Sequence, residues 1–168
     1  MQNLNKYFIP GFNCYNGGMS RTKAFKAGQA AREAGQRYAP TKVPGDKWSS
    51  IHIMMGDHPS GVTSATIEGI PGLSSTVRMY KGKKNVGVLN SGRDIEHIET
   101  HSEHMRQGIA TEMDRLANFS AGLAGNKQIA HGTTRTSSGD AWADAVGGRK
   151  PEKTPSFGIT KSLLKDME

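Results

Sequence analysis

Residues 95–121 read IEHIETHSEHMRQGIATEMDRLANFSA, and what they form decides the fold. The first six alternate, which predicts a strand. Ile95, His97 and Glu99 would face one way, and Glu96, Ile98 and Thr100 the other. Further on, Ile109, Met113, Leu116, Ala117, Ser120 and Leu123 recur at helical spacing, with Gly125 and Asn126 as the stop. A polar loop ending in MRQG joins the two patterns. The start of a helix exposes free backbone N–H groups and a partial positive charge, and glycine lets an anion come close. Gly108 and Ala110 leave room there, while Arg106 and Thr111 add donors. The junction fits a pyrophosphate cradle; a plain helix start is the simpler alternative.

Working outward, the flanks supply the rest of a sheet. WSSIHIMM (48–55) alternates, and GVTSATIEGI (61–70) is a second strand. STVRMY and NVGVLN flank the turn KGKK, which predicts a hairpin whose tip carries Lys81, Lys83 and Lys84. SGRD is a further turn before Ile95. After the helix, KQIAHG predicts a short strand. SSGDAWADAVGG predicts a short helix, with Ser137 or Ser138 as N-cap, Trp142 in the core and Gly147-Gly148 as the stop. Residues 74–148 therefore run β–β–β–α–β–α. The strands before and after the long helix should be parallel. The fold class expected is α/β (α+β), a mostly antiparallel mixed sheet with packed helices.

The ends differ from this core in charge. The chain has 168 residues and a net charge of +7. Eight basic and two acidic side chains fall in residues 1–50, and five and three in 149–168, which leaves the middle at −1. Pro10-Gly11, Gly17-Gly18, Pro40 and Pro44-Gly45 punctuate the first fifty residues, so 1–50 read as a basic extended arm, 51–148 as the core and 149–168 as a tail. Within the arm, Lys23 to Ala39 is alanine-rich and could form a helix. Its apolar face is thin, so such a helix needs a partner. Basic ends suit nucleic acid or an acidic protein surface; a solvated tail fits equally well. The single cysteine, Cys14, excludes an internal disulfide and a cysteine metal cluster. No apolar run approaches the roughly 18 residues that span a bilayer, so no membrane partner is expected. His97, His101, Glu103, His104 and His131 are near one another in sequence but match no helix-borne zinc motif, and no metal is assigned.

The segment 95–121 resembles motif A of the GNAT superfamily of acetyl-CoA-dependent N-acetyltransferases. In that motif a strand ends in a loop of form (Arg/Gln)-x-x-Gly-x-(Gly/Ala) leading into a long helix. QIAHGTTRTSSGDAWADAVGG (128–148) resembles the family's next strand and helix, in a form associated with bacteriophage-encoded members. The resemblance covers about residues 74–148. It implies a GNAT-like core and acetyl-CoA as cofactor. Its phosphates would lie against Ile98, Thr100, Arg106, Gln107, Gly108, Ile109, Ala110 and Thr111, mostly through backbone. It also implies a general base on the entering strand, with Glu96, His97 and Glu99 as candidates. Two positions depart from the pattern. Met105 stands at the first place of the loop motif, and no tyrosine follows Tyr80 to protonate a leaving thiolate.

Two functions follow. One is a virion-associated structural or accessory phage protein on a GNAT-like fold, without catalysis. It would contact neighbouring subunits, and in some cases nucleic acid, through the 1–50 arm, and would pass through the host cytoplasm before assembly into the virion. The other is an active N-acyltransferase moving an acetyl group to an amine.

Overall fold

The computed structural model describes residues 20–35, 42–43, 47–48, 50–55, 58–70 and 72–154. In order these are α1 (Arg21–Glu33), β1 (Lys42–Val43), β2 (Lys47–Trp48), β3 (Ser50–Met54), β4 (Ser64–Ile70), β5 (Ser74–Lys81), β6 (Lys84–Ser91), β7 (Ile95–Thr100), a 3-10 turn (Ser102–His104), α2 (Ile109–Ala124) and α3 (Ser137–Val146). β1 and β2 pair with each other. β3 to β7 form one five-stranded antiparallel meander in sequence order. The mixed α/β class expected from the sequence is the one observed. Cys14 and the tail beyond Thr154 lie outside the described residues.

Alternation along the strands gives the sheet two unlike faces. Ala65, Ile67, Val77, Met79 and Leu89 point to one side. Ile109, Met113, Leu116, Ala117 and Ala121 of α2 fill the space above them. Gly87 makes room for this, because a Cβ there would press on Ile109 and Met113. The opposite face is polar. Register places Thr66, Arg78, Val88 and Glu99 in one row, and Glu68, Thr76, Asn90 and His97 in the next. Arg78 donates to Glu68 at 2.8 Å and Thr76 to Asn90 at 2.9 Å across these strands.

Two expectations for β7 and the segment after α2 need correction. His97 and Glu99 do share a face, and Ile98 packs on the core. Ile95, however, joins the core rather than their face. The register steps from Asn90↔His97 to Ser91↔Ile95, so Glu96 is the extra residue of a bulge and the alternation is offset there. The strand expected in KQIAHG shrinks to one parallel bridge, Asp94↔Ala130, held by Ile95 N–H to Ala130 O at 2.9 Å and Ala130 N–H to Arg93 O at 3.1 Å. Its direction is the expected one. The residues beyond it turn to other partners: His131 N–H donates to Arg149 O.

The helix α1 is built into the core, although it falls in the stretch read as an extended arm. Ser20 caps it, accepting from Lys23 N–H, and Gly35 at φ +90° ends it before the expected Ala39. It packs along α2, and its thin apolar face now has an explanation. A Cβ on Gly28 would collide with the Phe119 carbonyl oxygen, and one on Gly122 with the Phe25 carbonyl oxygen. Two helix backbones thus approach at glycine on both sides, and Ala24, Phe119 and Leu123 seal the seam. Large side chains at those places would hold the helices apart.

The α3 N-cap is Thr136, not Ser137 or Ser138; its hydroxyl accepts from Gly139 N–H at 3.1 Å. Gly147 closes the helix as expected.

Gly122→Ala tests the seam. In an ordinary helix interior this change gains about 1 kcal/mol. Here the added methyl meets backbone, so we expect a net loss of about 1–3 kcal/mol, seen as a lower midpoint in thermal unfolding followed by circular dichroism. An unchanged or raised midpoint would show that the helices do not touch at this position.

Candidate functional site

The β7–α2 junction is the first candidate. After β7, His101 N–H donates to Val86 O, and the 3-10 turn reverses the chain. Arg106 at φ +60° and Gly108 at φ +82° are both left-handed, which places Gly108 as the N-cap of α2. Gly108 has no side chain to cap the helix, and the first intrahelical bond runs from Glu112 N–H to Gly108 O. The amides of Ile109, Ala110 and Thr111 therefore precede the helical ladder. Space is open where a Gly108 Cβ would be.

The eight residues expected to hold acetyl-CoA divide by environment. Arg106, Gln107 and Gly108 are exposed, and the Gln107 amide donates to Glu103 O at 3.4 Å. Ile109 is 1% exposed, and Ile98 is half-buried with its side chain packed against the core. Thr100 pairs opposite Gly87. Ala110 is half-buried, and the Thr111 hydroxyl accepts from Trp142 Nε1–H at 3.2 Å, tying α3 to the first turn of α2. Of the base candidates, His97 Nε2 and Glu99 Oε2 lie 3.3 Å apart on the polar sheet face, whereas Glu96 is exposed at the bulge. The junction and the His97–Glu99 pair are thus separate features: one is loop backbone, the other lies on the face turned away from α2.

The histidines singled out by sequence do not converge. His101 and His104 have ring centroids 5.9 Å apart in the exposed turn, where Glu103 also meets Lys84. His131 is buried beside Trp142, edge to face at 5.4 Å, with Nε2–H donating to Gly147 O at 2.8 Å. Burial holds its pKa below the usual histidine value, against the pull of the Gly147 bond.

Buried charge is the feature that sequence reading missed. Arg21 is 1% exposed. Its guanidinium donates to Asp114 Oδ1 at 2.8 Å and to Ile129 O at 2.6 Å, and reaches Gly147 O at 3.5 Å. Asn118 completes the group, donating to Asp114 Oδ1 and accepting from Ile129 N–H. Burial pushes the Asp114 carboxyl up to about 6, with Arg21 pulling the other way.

A second group surrounds Glu112, also 1% exposed. Arg115 Nη1 lies 3.2 Å from Glu112 Oε2 and His58 Nε2 lies 3.9 Å from it, yet neither carboxylate oxygen receives a hydrogen bond. His58 belongs to the β3–β4 loop, where its Nδ1 accepts from Ser60 N–H at 3.2 Å and lies 2.5 Å from Ser60 Oγ. An N–H can only donate, so Nδ1 carries no proton in the neutral ring and Nε2–H faces the carboxylate. Burial, opposed by Arg115, pushes Glu112 up to about 7. Burial and then Arg115 push His58 down. A trace of this was visible in the sequence: Glu112 sits three residues after Ile109 and four before Leu116, beside the apolar stripe.

Comparison with protein-family models, with curated proteins and with solved structures finds no match.

Glu112 gives a signed pH prediction. Its folded pKa is raised from 4.5 to about 7, so between those values the unfolded chain binds fewer protons and stability falls as pH rises. Glu112→Gln keeps the neutral shape and removes that loss. We expect the variant to exceed the parent by about 1–3 kcal/mol at pH 8, with the gap closing by pH 4, in paired denaturant titrations. Equal stability across the range would refute a buried neutral Glu112.

Proposed function

We propose that this chain is a virion-associated structural or accessory phage protein with a GNAT-like core, in which the β7–α2 loop is retained without a working catalytic pair. The observation that carries the reading is the second face of the sheet. It is a broad array of half-buried polar groups (Thr76, Arg78, Asn90, His97, Glu99) that already have partners, Thr76 with Asn90 and Arg78 with Glu68 across strands and His97 with Glu99 along β7. A side-chain lattice committed in this way suits contact with another protein surface better than proton transfer, which needs a base aimed at a substrate. The sequence resemblance over about 74–148 and the basic ends supply the phage and assembly parts of the reading. A second reading, binding of acetyl-CoA with or without N-acyl transfer, is favoured by one feature. The amides at the start of α2 are left without a side-chain cap behind left-handed Arg106 and Gly108.

The two readings are tested separately. For assembly, the truncation must stop before Ser20, because α1 belongs to the core. A chain lacking residues 1–19 should keep its helix and sheet signal by circular dichroism but fail to enter purified particles. Normal incorporation of the shortened chain would refute a role for that segment. For the cofactor, isothermal titration with acetyl-CoA should show binding that Gly108→Val weakens at least tenfold, since a β-branched residue at φ +82° is strained. Gly108→Asn, which tolerates that conformation, should bind nearly as the parent does. No heat of binding in the parent removes the cofactor reading and leaves the structural one standing.

A further inference from the structure

We propose that the segment 58–63, which leads into β4, is a proton-controlled latch on α2, closed while Glu112 and His58 are both neutral and released when either becomes charged. The geometry is specific. The loop begins its return at Ser60, whose N–H and hydroxyl both lie on His58 Nδ1, so the imidazole and the turn move as one piece. Gly61 at φ +74° and Val62, 1% exposed, follow directly, and Val62 belongs to the main core. The other nitrogen of the ring, Nε2, faces Glu112 Oε2 across 3.9 Å. That distance is too long for a hydrogen bond, and the carboxylate has none from any other described group.

Two buried titratable groups therefore face each other without being locked together. Among the described residues the charged group beside both is Arg115, on the same helix as Glu112. Its fixed positive charge favours ionised Glu112 and opposes charged His58. Burial disfavours the charged form of each. In the closed loop Glu112 thus holds its proton to a higher pH than it would in water, and His58 loses its proton sooner. Opening the loop hydrates both. By linkage, opening is promoted as pH rises past the ordinary carboxylate range, through Glu112, and as pH falls below the ordinary imidazole range, through His58. The two limbs oppose each other in the parent protein, so each is seen clearly only when the other group is replaced. Release would uncover the side of the first turn of α2, the same turn that begins at the Gly108 loop.

Amide hydrogen exchange of residues 58–63, corrected for the intrinsic pH dependence of exchange, reads the opening equilibrium directly. The parent is compared with Glu112→Gln at each pH. With the carboxyl pKa near 4.5 when open and about 7 when closed, the ratio of parent to variant opening should grow about tenfold from pH 6 to pH 8. Glu112→Gln alone should open more as pH falls from 7 to 5. Nitrogen shifts of His58 in the parent at pH 8 should show the proton on Nε2. A constant ratio between pH 6 and pH 8 would overturn the latch. So would loop exchange that follows global unfolding in both proteins, since the loop would then not open by itself.

Discussion

One guanidinium reaches four parts of this chain at once. Arg21 opens α1, and its side chain ends among Asp114 of α2, the Ile129 carbonyl of the bridge segment and the Gly147 carbonyl that closes α3. A planar, permanently charged fork can serve several acceptors at once, which an ammonium cannot do with the same geometry. Desolvating it is costly, and the cost is offset only if its partners are in place together. The position of α1, the path after α2 and the end of α3 are therefore coupled. Gly148 belongs to the same arrangement: a Cβ there would strike the Arg21 side chain.

Close packing of α1 and α2 depends on a different economy, that of small residues. Gly28 and Gly122 sacrifice helix propensity so that two backbones can approach. The approach brings Arg21 within reach of Asp114, and the ion pair in turn fixes the register of the two helices. Neither contact stands well without the other. The sheet needs only one covered face to be stable, and α2 supplies it through Met113, Leu116 and Ala117, with Gly87 making way for Ile109 and Met113. The other face is free to carry polar groups, and the polar reading of function rests on it.

Both buried acids of α2 sit on the flanks of its apolar stripe. Asp114 is bonded through Oδ1 to Arg21 and Asn118 and serves architecture. Glu112 has near neighbours and no hydrogen bond, so its protonation state is set by burial. That contrast, between an acid that is hydrogen-bonded and one two residues away that is not, is why the second group reads as a control element and the first as a fastener.

What the sequence by itself determined was local. Alternation fixed β4, β5 and β6, the glycine-lysine turn fixed the hairpin, and the helical stripe from Ile109 to a stop at Gly125 fixed α2. These are short-range patterns, legible because side chains a few residues apart share a face. The eight residues at the β7–α2 junction were likewise legible as strand end, loop and helix start, but whether the side chains of Ile98, Ile109 or Thr111 are free was not. Tertiary structure decided the rest. It turned a thin alanine-rich stretch into a core helix, because the matching glycine lay 94 positions further along the chain, at Gly122 against Gly28. It moved Ile95 to the core through the bulge at Glu96, cut the last strand to a single bridge at Ala130 and brought His58 to Glu112. Each of these rests on partners distant in sequence, and periodicity along one segment carries no record of what another segment will place beside it.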